Sequence, residues 1–266
     1  MITQLTKRLM ISFILIVVSA VAIFHGSKWV FALYALIFIL VGLDEFFTIV
    51  EKKGFEVNKK MGLLCGAAVP ISIAAGFESL ILVLVVLALF IYNFRPSRLS
   101  KALTSTALTV FGIIYVAWFL AHVIKIHNLE HGARWVFYVA FIVKSGDAGA
   151  YFVGKKIGRT KLIEHISPNK SVEGAWGGFL TTVVLSIFSW VYLPHVFIGH
   201  LLLLGILLGI LSQVGDLGES LFKRDAGVKD SGHLPGVGGL LDVLDSLILT
   251  IPFLYYYLSV VMKGVT

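Results

Sequence analysis

The stretch IGHLLLLGILLGILSQV, from Ile198 to Val214, contains no Asp, Glu, Lys or Arg. An uninterrupted apolar stretch of this kind is typical of a helix that crosses a membrane. The whole chain of 266 residues has the same character, because it is 58% hydrophobic, only 14% charged and has a mean hydropathy of +0.93. This composition excludes soluble folds, and with them a soluble nucleic-acid-binding protein, despite a net charge of +7.

Apolar segments along the chain predict an all-α polytopic integral membrane protein with about nine transmembrane helices. Their approximate bounds are residues 9–25, 29–50, 61–76, 79–94, 103–124, 133–153, 175–195, 198–214 and 238–261. If the N-terminus is cytoplasmic, most of the 22 Lys and Arg residues fall in segments on the inner side. Because basic loops next to a membrane usually stay in the cytoplasm, this distribution favours a cytoplasmic N-terminus.

The two halves of the chain differ in character. Residues 1–125 are mostly bulky and apolar, with short basic loops, and are predicted to be scaffold helices that face lipid. Residues 126–266 carry six of the seven aspartates and two long polar loops, at 154–174 and 215–237. Because ionisable residues near a membrane are usually functional, the second half is predicted to be the catalytic region, with both loops cytoplasmic.

Asp147 lies near the inner end of the sixth predicted span, three residues after Lys144. This spacing places both side chains on one face of a helix. A charge at membrane depth is costly and usually faces a cavity or a partner. Asp147 is therefore either a functional residue or one member of a structural ion pair with Lys144.

The segment ISPNKSVEG, Ile166–Gly174, places several polar side chains just before an apolar segment. Ser167, Asn169 or Ser171 is suited to cap the coming helix, whose N-terminus would attract an anion. Lys170 adds a positive charge suited to phosphate. The alternative interpretation is an ordinary helix cap beside a lysine that extends toward the membrane surface.

Two pairs of acidic side chains flank the polar loop at 215–237. Asp216 and Glu219 are three residues apart, and so are Asp242 and Asp245. Each pair therefore shares one helix face. Carboxylates from two helices can bind a hard divalent cation, and Mg²⁺ in particular combines one or two carboxylates with substrate phosphates.

The same loop carries the cations Lys223, Arg224 and Lys229, which are suited to hold phosphates. A solvated loop with salt bridges between helices would also explain these charges. It explains poorly why Asp242 and Asp245 enter an apolar span.

Some other polar or small residues have a simpler interpretation. Asp44 and Glu45 interrupt the second span, and we expect them to pair with neighbours, although they could face the same cavity. Two motifs with glycines four residues apart, which begin at Gly62 and Gly205, predict close helix packing.

Four segments together resemble the phosphatidate cytidylyltransferase family, whose members are also called CDP-diacylglycerol synthases. The segments are GDAGAYFVGKKIGRTKL (Gly146–Leu162), ISPNKSVEG (Ile166–Gly174), GDLGESLFKRDAGVKDSG (Gly215–Gly232) and LPGVGGLLDVLDS (Leu234–Ser246). The family signature is matched in order by Ser220, Lys223, Arg224, Lys229, Asp230, Pro235, Gly238, Gly239, Asp242 and Asp245. The resemblance is close over most of residues 140–250 and extends to the first half only through its hydrophobic layout.

The chain departs from the family pattern at three places. Val237 stands where the pattern has His, and Val243 stands where it has Arg. The link from Gly232 to Pro235 is one residue shorter than in the pattern. These changes remove two side chains that could contact phosphate or carry a proton, while the carboxylates and the Lys/Arg cluster are kept.

The resemblance implies transfer of CMP from CTP to phosphatidate, which gives CDP-diacylglycerol and pyrophosphate. The catalytic residues that it implies are Asp216, Asp242, Lys223 and Lys229. The ligands that it implies for one or two Mg²⁺ ions are Asp216, Asp242, Asp147 and Asp245. The substrate-binding residues that it implies are Ser167, Asn169, Lys170, Arg224, Ser220, Asp230 and Tyr151.

The implied partners are CTP, phosphatidate and the lipid bilayer, and the family also suggests a homodimer. The expected location is the bacterial inner membrane, with the active site facing the cytoplasm, where CTP is available. No nucleic-acid partner is expected.

Two other classes of function stay open. A CTP-dependent polyprenol or phytol kinase, or a CDP-archaeol-type synthase, would share the layout, although the motif from Ser220 to Asp245 disfavours the kinases. An ion-coupled transporter would use Asp147, Asp216 and Asp242 as an ion pathway. Transporters usually place such charges at the membrane midplane within paired repeats, and this sequence shows no repeat.

Overall fold

The computed structural model describes residues 4–232 and 238–263. These residues are predominantly helical, which confirms the predicted all-α class. Among them, six helical segments are long and apolar enough to cross a membrane. They are Lys28–Lys52, Pro96–His127, Gly132–Ile157, Val172–Val191, Ile198–Asp225 and Leu241–Val261. Two shorter apolar helices, Phe13–His25 and Leu80–Asn93, accompany them.

The helices follow the order of the predicted spans. They are α1 (Gln4–His25), α2 (Lys28–Lys52), α3 (Lys59–Ala75), α4 (Glu78–Asn93), α5 (Ala102–Gly112), α6 (Phe119–His127), α7 (Gly132–Ile157), α8 (Val172–Phe188), α9 (Ile198–Asp225) and α10 (Leu241–Tyr256). Short 3₁₀ segments are Pro96–Lys101 and Ser189–Val191, and π-helical turns are Ile113–Trp118 and Tyr257–Val261. Each of the nine predicted spans overlaps one of these helical regions, and the nine-span topology itself stays a prediction.

Helix α9 extends beyond its predicted end at residue 214. It continues to Asp225, so the first part of the predicted loop at 215–237 is helical. The reason is that Leu, Glu, Lys and Arg are good helix formers, so polarity alone does not end a helix. Gly227, just after the helix, has a φ of 68° and terminates it. The N–H of Val228 donates to the Lys223 carbonyl oxygen, and the N–H of Gly227 donates to the Arg224 carbonyl oxygen. This is the Schellman arrangement, which favours glycine at the left-handed position.

The predicted loop at 154–174 also contains regular structure. Helix α7 reaches Ile157, and two antiparallel strands follow, β1 (Lys161–Ile163) and β2 (Ser167–Ser171). Ser171 then caps α8, because its hydroxyl accepts the N–H of Gly174 at 3.1 Å. Of the three residues that the sequence offered as caps for this helix, Ser171 is therefore the one used.

The chain divides into two compact units. The first unit comprises Met1–Asn128 and Phe222–Leu244, with a core of large buried side chains that includes Phe31, Ile39, Leu43, Phe47 and Leu89. Helices α2 and α3 pack closely at Gly62, where an added Cβ would lie 2.7 Å from the Phe47 ring. Asp44 pairs with Lys59 at 2.9 Å, as expected of a residue that pairs with a neighbour.

The second unit comprises Leu129–Leu221 and Asp245–Thr266. Its core includes the fully buried Trp135 and Tyr138. Helices α8 and α9 pack closely, because a Cβ at Gly205 would lie 2.8 Å from the Cβ of Ser186. Both glycine motifs therefore lie at close helix contacts, as predicted.

Large apolar side chains also cover much of the outer surface of both units. Leu103 is 85% exposed and Phe77 is 77% exposed, and many Leu, Ile, Val and Phe side chains of the long helices resemble them. A water-soluble monomer rarely exposes apolar surface on this scale. Helices with apolar exteriors are what a lipid bilayer requires, so the chain has the character of an integral membrane protein.

Candidate active site

A cavity whose wall includes several polar side chains lies within the second unit, among α7, the β1–β2 hairpin, α8 and α9. Its volume is about 560 Å³, within the range of about 300–1,000 Å³ that is usual for small-molecule sites. Six of the residues predicted to act in catalysis or binding line it. They are Asp147, Tyr151, Ser167, Asn169, Lys170 and Asp216.

Close packing of α7 against α8 forms one wall of the cavity. An added Cβ at Gly178 would lie 2.9 Å from both the Ala150 Cβ and the Gly146 carbonyl oxygen. At Gly146, an added Cβ would overlap the hydroxyl of Thr182. Glycine is therefore needed at both positions, and the contact places Asp147 of α7 beside the first turns of α8.

The hairpin places Lys170 beside the carboxylate of Asp216. The Lys170 Nζ lies 2.6 Å from Asp216 Oδ2, and the two side chains are 28% and 30% exposed. At the start of α8, the Glu173 carboxylate accepts the backbone N–H groups of Arg159 at 3.0 Å and Thr160 at 3.2 Å. These bonds tie the entry of the hairpin to the helix that follows it.

A second ion pair joins α7 to α10 within this unit. Lys144 Nζ lies 2.9 Å from Asp147 Oδ2, the ion pair that the sequence offered as an alternative to a functional role, and 3.9 Å from Asp245 Oδ1. The fully buried Ser246 hydroxyl lies 2.9 Å from Asp147 Oδ2 and 2.7 Å from Lys144 Nζ. Ser246 therefore bridges the lysine and the aspartate. In the sequence, only its position after Asp245 hints at this role.

Helix α9 also approaches α10 closely at this level. An added Cβ at Gly215 would lie 2.6 Å from the backbone carbonyl oxygen of Asp245. Asp216, the next residue, faces the cavity. The second unit thus brings together Asp147, Asp216 and Asp245, three of the four predicted metal ligands.

Sequence reasoning missed some polar residues of the cavity wall. Gln213 of α9 lines the cavity and donates from Nε2 to the Ala175 carbonyl oxygen at 3.0 Å. Thr182 and Ser212 also line it. Their types are common in membrane helices, so no signal in the sequence distinguished them.

The chemistry of the cavity suits a cation and an anion together. Among the described residues, no three His, Cys, Asp or Glu side chains form a ready metal-binding group. Asp147 and Asp216 face Lys144 and Lys170 instead. Mg²⁺ usually takes one or two carboxylates and completes its shell with water and substrate phosphates, so two carboxylates beside lysine side chains fit this ion.

The remaining predicted metal ligand, Asp242, lies in the first unit. Its Oδ1 pairs with the buried Lys223, and its Oδ2 accepts the backbone N–H groups of Ser231 at 3.0 Å and Gly239 at 2.7 Å. Gly238 has a φ of 92°, and an added Cβ there would lie 2.9 Å from Asp242 Oδ2. Both carboxylate oxygens of Asp242 are therefore engaged by protein groups.

A model of the cytidylyltransferase family matches residues 6–261, almost the whole chain. The chain belongs to the cytidylyltransferase family.

Curated members of this family with related sequences include bacterial phosphatidate cytidylyltransferases. The protein from Bacillus subtilis (strain 168) is 47% identical over 150 residues, which cover 55% of each chain. The protein from Chlamydia muridarum is 36% identical over 173 residues, which cover 60% of this chain and 57% of that protein. The chain thus spans little more than half the length of these two relatives. The protein from Synechocystis sp. is 33% identical over 270 residues, which cover 88% of this chain and 90% of that protein.

Several signature residues of this family member lie outside the cavity. Arg224, Lys229 and Asp230 are exposed in the first unit, whereas Ser220 is buried in α9. The predicted assignments to Pro235 and Val237 fall outside the described residues. The roles of all these side chains stay predictions.

Proposed function

We propose that the chain transfers CMP from CTP to phosphatidate and releases pyrophosphate. The observation that supports this most directly is the cavity of the second unit, where six predicted site residues from α7, the hairpin and α9 meet. A lysine in contact with a carboxylate supplies one group for phosphate and one for a cation. The names of the related bacterial proteins supply the substrates of the proposal.

The proposed reaction needs little proton transfer. A phosphate oxygen of phosphatidate attacks the α-phosphorus of CTP, and the bond from that phosphorus to the bridging oxygen of the β-phosphate breaks. CDP-diacylglycerol forms, and the electron pair leaves with pyrophosphate. Because a phosphate monoester is largely ionised at neutral pH, no strong general base is required, which makes valine at position 237 tolerable. Catalysis then consists of positioning the substrates and neutralising charge.

Within the cavity, we assign Lys170 to the phosphates of the substrates. In the structure it neutralises Asp216, and a phosphate would compete for the same ammonium group. Ser167, Asn169 and Tyr151 lie close enough to the same space to donate hydrogen bonds to the ligand.

Asp147 and Asp216 are the side chains that we assign to Mg²⁺ in this unit, with Asp245 as a further ligand or support. Bound Mg²⁺ would supply charge neutralisation to the phosphate oxygens of the substrates. Other residues that the resemblance implies are also proposed to serve the reaction, and mutation tests each of them separately. They are Ser220 in the second unit and, in the first unit, Asp242, Lys223, Lys229, Arg224 and Asp230.

The reaction is proposed to take place at the cytoplasmic face of the bacterial inner membrane. The distribution of Lys and Arg along the chain supports a cytoplasmic N-terminus and nine spans. A site at the cytoplasmic interface would receive CTP from water while the acyl chains stay in lipid. A homodimer is part of the same proposal.

The test is an assay with detergent-solubilised protein, CTP labelled in the cytidine and in the γ-phosphate, and Mg²⁺. Phosphatidate, a polyprenol and an archaeal ether-lipid phosphate are offered separately as acceptors. Transfer of labelled cytidine to phosphatidate supports the proposal. Transfer of γ-phosphate to the prenol would indicate a kinase, and transfer of cytidine to the ether lipid alone would indicate the archaeal-type synthase. No lipid product from any acceptor would overturn the proposal and favour a transporter.

A further inference from the structure

Glu45 of α2 is a buried carboxylate in the half of the chain that the sequence interprets as scaffold. Glu45 is only 8% exposed. It accepts the backbone N–H of Leu240 at 3.0 Å and that of Leu241 at 2.7 Å. The first N–H groups of a helix have no partner inside the helix, and they favour a negative charge. Glu45 therefore caps the N-terminus of α10 from another helix.

The same carboxylate is linked to Asp242 through one hydroxyl. The Ser231 Oγ lies 2.9 Å from Glu45 Oε2 and 3.0 Å from Asp242 Oδ2. Ser231 is only 2% exposed, so both contacts are shielded from solvent. A change at Glu45 therefore acts directly on the bonds that orient Asp242.

Two glycines let the backbone close around Glu45. At Gly232, an added Cβ would overlap Glu45 Oε1. At Gly239, it would lie 2.5 Å from Glu45 Oε2 and would overlap the Ser231 hydroxyl. Any larger residue at these two positions would push the segment away from the carboxylate.

A second contact joins the end of α2 to the C-terminal end of α9. Lys53, the residue directly after α2, donates to the backbone carbonyl oxygen and to Oδ1 of Asp225, both at 2.8 Å. Asp225 is the last residue of α9. Two residues in or just after the C-terminal part of α2 therefore make contacts with the neighbouring helix ends. Lys53 contacts the end of α9, and Glu45 contacts the start of α10.

We propose that Glu45 is a positioning residue for the transfer reaction, because it sets the orientation of Asp242 and of its partner Lys223. This inference rests on the proposed function and adds a residue to it from outside the signature. Glu45 itself need not touch substrate, since it acts through Ser231 and the start of α10.

The test compares Glu45→Gln and Glu45→Asp with the matched control Asp44→Asn. Asp44 is the adjacent residue, and its half-exposed side chain pairs with Lys59 instead. We expect Glu45→Gln to lower kcat by about tenfold or more while the KM for CTP changes by less than about threefold. Glu45→Asp, which keeps the charge, should recover part of the loss. Asp44→Asn should keep the rate of the unmodified protein.

Hydrogen exchange measured by mass spectrometry supplies a readout that needs no activity. Peptides that cover residues 238–242 should exchange about tenfold faster in Glu45→Gln, because the N–H groups of Leu240 and Leu241 lose a charged acceptor. Asp44→Asn should leave that exchange unchanged. If the unmodified protein transfers no CMP, the proposed function fails, but the exchange result still tests the contact.

A double-mutant cycle with Ser231→Ala guards against simple misfolding. If Glu45 acts through the shared hydroxyl, the double variant Glu45→Gln/Ser231→Ala should lose little more kcat than the worse single variant. The inference is overturned by faster exchange with an unchanged kcat, by unchanged exchange, or by losses of kcat that multiply independently.

Discussion

Lys170 of the hairpin and Asp216 of α9 form an ion pair, with Nζ 2.6 Å from Oδ2, at the wall of the cavity in the second unit. Each side chain holds the other in the cavity and cancels its charge. In the proposed reaction, a substrate phosphate would pair with the lysine, and Mg²⁺ would pair with the aspartate. The pair therefore predicts which two substitutions should affect the reaction most directly.

Asp216→Asn should lower the rate of CMP transfer by about 100-fold or more, because it removes a carboxylate that is proposed to hold the cation that neutralises phosphate charge. The measurement is the initial rate at saturating CTP and phosphatidate, with the amount of folded protein checked by gel filtration. Glu164→Gln makes the same change of charge on an exposed residue of the hairpin turn and should have no effect. Near-normal activity in Asp216→Asn would exclude this aspartate from the reaction.

Lys170→Ala should raise the KM for CTP by about tenfold or more, because a charged hydrogen bond to phosphate is lost. The matched control is Lys161→Ala in the same hairpin, where the exposed lysine contacts the carbonyl oxygen of Pro168. Steady-state kinetics at varied CTP separates the two variants. Equal KM values for both would show that Lys170 does not bind the nucleotide.

Chelation of divalent cations should abolish transfer, and added Mg²⁺ should restore it. A second readout is thermal unfolding in detergent with CTP present. Mg²⁺ should raise the unfolding midpoint of the unmodified protein, because a ligand that binds only the folded state stabilises it. The rise should be much smaller in Asp147→Asn and Asp216→Asn. An equal rise in all three proteins would place the ion elsewhere.

Ser246→Ala should lower the free energy of unfolding by about 1 kcal/mol, because the half-buried Lys144 and Asp147 side chains lose a shared hydrogen-bond partner. The comparison is Ser259→Ala, whose hydroxyl donates to the backbone carbonyl oxygen of Tyr256 in the same helical segment. Thermal or denaturant unfolding in detergent measures both. A Ser246→Ala variant as stable as Ser259→Ala would mean that the hydroxyl contributes nothing.

Two glycines of the second unit should respond to substitution in opposite ways. Gly218→Ala should stabilise the protein by up to about 1 kcal/mol, because Ala favours a helix interior and an added Cβ meets no atom within 4 Å. Gly146→Val should destabilise it, because the side chain would overlap Thr182 across the contact of α7 with α8. Equal melting temperatures for both variants would contradict the close contact of α7 with α8 at Gly146.

The sequence identifies the helices and the chemical groups well. Helices α2, α7 and α9 lie where long apolar stretches predict them. The helical spacing of Lys144 and Asp147 places both side chains on one face, where they are in contact. The hairpin was missed because its strands are short and polar, with no alternation of apolar residues to mark them. The extension of α9 to Asp225 was missed because polarity was taken as the end of the helix.

Glu45 shows the other limit of sequence reasoning. Beside Asp44 it resembles an ordinary interruption of an apolar span, and only Asp44 behaves as expected, through its contact with Lys59. The bonds of Glu45 to Leu240 and Leu241 join residues almost 200 positions apart in the chain. Spacing within a helix carries no information about such a contact.

The sequence by itself determined the membrane character, the positions of the helices and the acidic and basic groups, because a bilayer requires apolar stretches whose backbone bonds are satisfied locally. Only the tertiary structure decided which groups share a cavity and which cap a helix. Those choices depend on the close packing of segments that are distant in the chain. Asp147 reaches the cavity because glycines let α7 and α8 pack in contact. Lys170 meets Asp216 because the β1–β2 hairpin carries the lysine back beside α9.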